Sequence, residues 1–159
     1  MNLFLDTCSF LKLFLNEEHS EKVRGWIDEA GVVSVCRIAF PEAMSAVERR
    51  FRSGDLSQDD RDLTVDRIVG DRGDFLALDF DEQKAGQLAL RHGLRALDAI
   101  QLAAAGLLAG ADKEDLAVFS SFDARLNQAA RAEGLQVLTA GKQERKWGLR
   151  GNDVLFKEK

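Results

Sequence analysis

Asn2-Leu3-Phe4-Leu5-Asp6-Thr7-Cys8-Ser9-Phe10-Leu11-Lys12-Leu13-Phe14 passes from one structural period to another. Leu3, Phe4 and Leu5 are apolar in succession, so they read as a short strand buried on both faces and ending at Asp6. Phe10, Leu13 and Phe14 then stand at i, i+3 and i+4, which predicts a helix over 9–16. A doubly buried strand running straight into a helix is the first half of a βαβ unit, and the same alternation continues along the chain. Ser20 caps a helix to about residue 30, stopped by Gly31, and 32–35 is a second buried strand. Pro41 lies in the first turn of a helix that carries Met44, Val47 and Phe51 and ends at Gly54. Ser57 caps a helix over 58–69, 75–78 is a strand, and 81–91 is a helix closed by Gly93. A helix over 96–108 is apolar nearly all round and therefore internal; 116–119 is a strand, 124–133 a helix with Gly134 behind it, and 136–138 a last short strand. The fold class is α/β: a parallel sheet of four or five short strands with helices on both faces, a three-layer arrangement. Ligands of such sheets sit beyond the C-terminal strand ends, here Asp6, Cys36, Asp79 and Ser120 onward.

Composition narrows the function classes. The chain has 159 residues, 45% apolar and 31% charged, with one proline and 13 glycines, as expected of one globular domain able to bury a core. Its charge of −5 speaks against a protein that coats polyanions through clustered Lys and Arg. It is compatible with a nucleic-acid enzyme built on carboxylates. Cys8 and Cys36 make no disulfide framework, and with His19 and His92 they are too few and too scattered for a zinc site. The longest uncharged run, 99–111, has 13 residues, short of the about 20 that span a bilayer. Asp6 and Lys12 interrupt the apolar opening and no basic segment precedes it, so a soluble, cytoplasmic protein without a signal peptide is expected. Residues 140–159 hold six basic and three acidic side chains, a tail that either packs on the domain or extends as a basic arm.

Four acids fall at or just after strand exits: Asp6, Glu42, Asp98 and Asp123. Each has an ordinary explanation, as a helix cap for Asp6, Asp98 and Asp123 or a first-turn dipole partner for Glu42. Asp98 carries the most information, since Leu97, Ala99, Ile100 and Leu102 around it are apolar and an ionised carboxylate there is costly unless paired or metal-bound. Carboxylates gathered in one cleft repel one another unless a divalent cation lies between them, and oxygen-only ligands suit Mg²⁺ or Mn²⁺. Such an ion activates water and offsets charge on a phosphoryl group, so phosphodiester hydrolysis is the matching chemistry.

Four stretches then carry a resemblance. Leu3-Phe4-Leu5-Asp6-Thr7 with Ser9 and Leu11 to Phe14, the segment Arg37 to Glu42, Leu97-Asp98-Ala99-Ile100-Gln101-Leu102-Ala103, and Phe119-Ser120-Ser121-Phe122-Asp123 with Leu126 and Ala129 together resemble the PIN-domain ribonucleases, and among them the VapC-type toxins of bacterial type II toxin–antitoxin pairs. The third stretch is the most specific. The resemblance covers 1–139 as a PIN-like nuclease domain and leaves the 140–159 tail without a counterpart; Cys8 stands where a small hydroxyl or amide residue is common.

The resemblance implies that Asp6, Glu42, Asp98 and Asp123 form a Mg²⁺ or Mn²⁺ site, with Asp6 and Asp98 as direct ligands, Glu42 direct or orienting water, and Asp123 acting through water. It implies that the Ser121 hydroxyl orients an acidic neighbour and that Thr7 supports the site. It further implies an RNA substrate, attacked by a metal-bound water in line with the leaving 3′ oxygen. A homodimer and a cognate antitoxin complete the expectation, with the antitoxin laid along the first two helices, where Phe10, Leu11, Leu13, Phe14, Leu15, Trp26 and Ile27 exceed what one helix face buries.

Other residues have plainer readings. His19 and His92 are expected on solvated surface, Cys8 packed beside the first helix, and Asp79 and Asp81 as caps. Arg49, Arg50 and Arg52 are either phosphate contacts or a solvated face. Two rivals remain. A haloacid-dehalogenase-type phosphatase would use Asp6 as nucleophile, but it needs a second Asp where Cys8 stands. A non-catalytic PIN-like binding module would leave four filled acidic positions unused.

Overall fold

The five strands pair in the order β3-β2-β1-β4-β5, all parallel, in the computed structural model, which describes residues 1–111 and 117–139. They are β1 (Asn2–Leu5), β2 (Val32–Cys36), β3 (Leu76–Leu78), β4 (Ala117–Ser120) and β5 (Gln136–Leu138). The helices are α1 (Thr7–Leu11), α2 (Ser20–Asp28), α3 (Ala39–Arg52), α4 (Gln58–Asp71), α5 (Glu82–His92), α6 (Ala96–Ala111) and α7 (Ala124–Ala132). β1 lies at the centre, Leu5 in register with Val35 on one side and Ser120 on the other. The expected tail 140–159 and Leu116 of the expected fourth strand lie outside the described residues.

The period-two rule divides the core into two layers. Leu3, Leu5, Val35 and Val118 face α1 to α4, packing on Phe10, Phe14, Val23, Ala43, Val47 and Ile68. Phe4, Cys36 and Phe119 face the other way onto α5, α6 and α7, through Leu88, Leu102, Leu126 and Ala130. Phe4 and Phe119, neighbours across β1 and β4, stack with ring centroids 5.7 Å apart.

Local chemistry moves several expected boundaries. The first helix is shorter than 9–16: Asp6 caps it through the Ser9 N–H, so it starts at Thr7. It ends at Leu11 because the next amides, of Lys12, Leu13 and Phe14, bond to carbonyls three residues back at 3.2, 3.1 and 3.0 Å, a tightened turn. Ser20 does not cap α2. It is the first helical residue, and its hydroxyl donates to the Leu15 carbonyl at 2.8 Å, while His19 precedes it in the left-handed region at φ 71°. Ser57 and Asp81 cap α4 and α5 as expected, and Gly93 closes α5 at φ 62°. α6 is not internal all round: Ala99, Leu102 and Ala104 are buried, but Leu97 and Leu107 are about half exposed (51% and 48%). The apolar surplus expected on the first two helices is absorbed within the chain. Phe10, Leu11, Phe14 and Leu15 are buried, and Leu13, Trp26 and Ile27 pack partly buried against the same cluster.

Opposite charges tie α5 to the end of α7. Glu133 accepts Lys84 Nζ at 3.0 Å and Arg91 Nη1 at 2.7 Å, and lies 2.9 Å from His92 Nε2. His92 is therefore an inter-helix partner, not the solvated side chain expected. The His92 hydrogen bond above all, with Lys84 and Arg91, outweighs partial burial and pulls the Glu133 carboxyl down to about 2. A depressed carboxylate stabilises the fold above its ordinary value of 4.5, and that contribution is lost as pH falls towards 2. In denaturant melts Glu133→Gln should be less stable than the parent at pH 6, with the gap closing between pH 4.5 and 2; a pH-independent gap would contradict this.

Candidate active site

Parallel strands end on the same side of the sheet, so the junctions after β1, β2 and β4 share one edge. Asp6 follows β1, Ser121 and Asp123 follow β4, and Glu42 sits in the first turn of α3 behind β2. α6 adds Asp98, its third residue. Asp98 does not cap that helix; its carboxylate draws instead on the backbone N–H of Arg95, just before the first turn.

Asp6 is 3% exposed, and both of its oxygens are engaged. Oδ1 accepts the Ser9 N–H at 2.7 Å and Oδ2 accepts the Ser121 hydroxyl at 2.6 Å. Burial nonetheless pushes its carboxyl up to about 6, against these hydrogen bonds and with a further push from Glu42. Asp98 is half-buried and also raised, first by burial and then by Asp123 and Glu42, while the Arg95 guanidinium opposes them. Asp123 is exposed, caps α7 through the Leu126 N–H at 2.8 Å, and donates its own N–H to Ser121 Oγ at 3.0 Å.

Glu42 is half-buried and held through one oxygen. Gln101 Nε2 donates to Glu42 Oε2 at 2.7 Å and to Thr7 Oγ1 at 2.8 Å, and the Thr7 hydroxyl donates to the same Glu42 oxygen. Cys8 is exposed rather than packed beside α1. Its thiol is pushed up to about 12, first by desolvation of the sulfur against the protein and then by the negative charges of Asp6, Glu42, Asp123 and Asp98. Hydrogen bonds link Asp6 and Asp123 through Ser121, and Glu42 through Gln101 to the helix that bears Asp98.

The remaining candidates separate from this group. Asp79 is exposed, 4.0 Å from an equally exposed Arg37. Arg50 is bound to Glu17 at 2.8 Å and Arg52 to Glu48 at 2.7 Å. Arg49 to Arg52 lie seven to ten residues beyond Glu42 on α3, about 10–15 Å along the helix axis and away from the acids. His19 stacks on Phe122 with ring centroids 5.4 Å apart. Gln101 and Asn127, which holds the Ser121 carbonyl at 2.9 Å, went unremarked as site residues in the sequence. Gln101 had a signal: it is the one polar side chain between Asp98 and Ala111, and it sits three residues after Asp98, on the same helix face.

The donor set is all oxygen, which suits a hard divalent cation, and burial with neighbouring negative charge raises both Asp6 and Asp98. Among the described residues no three His, Cys, Asp or Glu side chains are close enough together to form a finished cation shell.

The PIN-domain family model matches residues 3–132. With that match over most of the described sheet and helices, the chain belongs to the PIN-domain family. Ribonuclease VapC45 of Mycobacterium tuberculosis strain CDC 1551 / Oshkosh and ribonuclease VapC49 of strain ATCC 25618 / H37Rv are each 32% identical to it over 145 residues, 87% of this chain and 95% of theirs. Its place within the family is therefore with the VapC type. Among solved structures, FitAcB from Neisseria gonorrhoeae superposes with a TM-score of 0.60 at 20% identity, covering 86% of this chain and 96% of that one. PAE2754 from Pyrobaculum aerophilum gives 0.60 at 15% identity, covering 86% and 83%. These two share the fold.

Asp6 also yields a stability prediction. Its carboxyl is raised in the folded chain, so the neutral form is the favoured one: ionisation carries no penalty below the ordinary 3.8 and the full penalty above about 6. Asparagine keeps the cap without the charge. In EDTA, Asp6→Asn should be more stable than the parent by about 3 kcal/mol at pH 7.5 and equal to it near pH 3.5, read from denaturant midpoints. A destabilised Asp6→Asn at pH 7.5 would count against a strained carboxylate.

Proposed function

We propose that this chain is a Mg²⁺- or Mn²⁺-dependent endoribonuclease and the toxin of a type II toxin–antitoxin pair. It acts on RNA in the cytoplasm as a homodimer that a cognate antitoxin restrains. The observation that carries the reading is that one edge of the sheet bears Asp6 hydrogen-bonded to Ser121, Asp123 to the same Ser121, and Glu42 joined through Gln101 to the helix that carries Asp98. Its 32% identity to two proteins named as ribonucleases supplies the reaction class. Among the described residues no helix is long and apolar enough to cross a membrane.

Asp6 and Asp98 would hold the cation directly, with Glu42 and Asp123 completing the site. Bound there, a divalent cation lowers the pKa of water and offsets charge on the scissile phosphate. Each side chain has its own task. The Ser9 N–H and the Ser121 hydroxyl hold Asp6 in one rotamer, so its position costs no reorganisation during the reaction. Glu42 keeps Oε1 clear of Thr7 and Gln101, able to orient a water or contact the cation. Asp123, at the exposed rim, orients water. The Arg95 guanidinium tempers the negative field beside Asp98, which eases the approach of an RNA phosphate. The homodimer has apolar surface available on α5, where Leu90 is 90% exposed, and on α6, where Leu97 and Leu107 are about half exposed.

The purified chain should cut RNA in Mg²⁺ or Mn²⁺ and stop in EDTA. Asp98→Asn should lower the rate by at least about 100-fold while its circular dichroism and melting temperature stay those of the parent. Expression should arrest growth, and co-expression of the adjacent antitoxin should restore it. Cleavage that persists in EDTA or in Asp98→Asn would overturn the reading.

A further inference from the structure

We infer that Gln101 is a positioning residue for the cation site: through its amide nitrogen, and through Thr7, it holds Glu42 by one oxygen so that the other faces the site. The inference rests on the reading above and adds a residue to it. Three hydrogen bonds close a ring: Gln101 Nε2 to Glu42 Oε2 at 2.7 Å, Gln101 Nε2 to Thr7 Oγ1 at 2.8 Å, and the Thr7 hydroxyl to Glu42 Oε2.

Their directions follow from the groups themselves. An ionised carboxylate can only accept, so Gln101 must turn its nitrogen towards Glu42. Both amide protons are then used, one on Glu42 and one on Thr7, and the Thr7 hydroxyl spends its own proton on Glu42. Two donors meet one carboxylate oxygen, and Oε1 is left outside the ring.

Holding Glu42 this way sacrifices hydrogen bonding elsewhere. Gln101 is 3% exposed and its Oε1 finds no partner among the described residues. An unpaired buried acceptor is a penalty that folding alone would remove by placing an apolar side chain there. Every residue of α6 from Leu102 to Ala105 is apolar and buried, so such a side chain would suit the helix. Glu42 is only half-buried and could be hydrated without Gln101, so the contact is not needed to satisfy that carboxylate. What the amide does add is orientation. Asp98 and Gln101 lie one turn apart on α6, so a single rigid helix both presents one acid and sets the rotamer of another, borne on α3.

The test is Mn²⁺ titration by calorimetry on the parent, Gln101→Met, Glu42→Gln and the double variant, with melting temperatures of each. Gln101→Met should weaken Mn²⁺ binding about 10–100-fold with no fall in melting temperature. In the Glu42→Gln background the same change should alter affinity less than about 2-fold, because its effect passes through Glu42. Thr7→Ser, which keeps the hydroxyl, should bind as the parent does, and Thr7→Val should weaken binding in the same range as Gln101→Met. Undiminished binding by Gln101→Met, an equal loss with and without Glu42, or a loss matched by a lower melting temperature would overturn the assignment while leaving the nuclease reading in place. A parent chain that takes up no Mn²⁺ would instead overturn the metal-dependent reading itself, and this inference with it.

Discussion

A carboxylate placed where it would rather be neutral organises this molecule. Asp6 ends the central strand, caps the helix that follows, and receives the hydroxyl of Ser121 from the neighbouring strand's exit. The two hydrogen bonds offset only part of the cost of burying it, since its carboxyl still sits near 6. The surroundings are fitted to keep it there. The Asp6 N–H donates to the Ser120 carbonyl at 3.0 Å, and the Ser9 hydroxyl is within 2.9 Å of both that carbonyl and the Ser120 hydroxyl. β1, α1 and the exit of β4 are thereby stitched at one point, with the Phe4–Phe119 stack directly behind it. A charge held so firmly at an unfavourable energy is not explained by stability.

Capping decides where two of these acids stand. A helix that starts right after a strand leaves unpaired N–H groups at the sheet edge, and a short acidic side chain is the natural partner for them. Asp6 and Asp123 both do this, at α1 and α7. The positive ends of those helices also moderate the repulsion between the gathered carboxylates. For these two residues the two sequence readings, cap or ligand, were therefore never exclusive: the cap fixes where the carboxylate stands, and the shared edge brings the caps together. Asp98 differs, lying inside its helix and relying on the Arg95 N–H.

Legibility in the sequence followed periodicity. All five strands and the parallel layering could be read because residues such as Leu3, Phe4 and Leu5 are apolar on both faces, which only a sheet covered by helices demands. The four acids could be read because they sit at the junctions that this topology collects. Less legible were features that depend on a distant partner. The shortening of α1 depends on a tightened turn, and the left-handed His19 goes with a ring stacked on Phe122, over 100 positions away. The burial of Phe10 and Phe14 required knowing that Phe75 would meet the Phe10 ring at 5.1 Å, so the chain itself covers what looked like a partner's groove. Gln101 was hidden for a different reason: in an apolar helix one amide looks like tolerated noise until the residue it touches, Glu42, is placed beside it.

The four acids are not held equally, and that inequality bears on how the site works. Asp6 has both oxygens occupied by buried donors, and Glu42 has one oxygen clasped by two. Asp98 is half-buried and Asp123 exposed, so both stand nearer the rim. Asp123 is fixed as well, by the cap it makes with the Leu126 N–H. Side-chain position is thus most fully determined at Asp6 and Glu42, where donors from β4's exit and from α6 reach across the sheet edge, and least at Asp98.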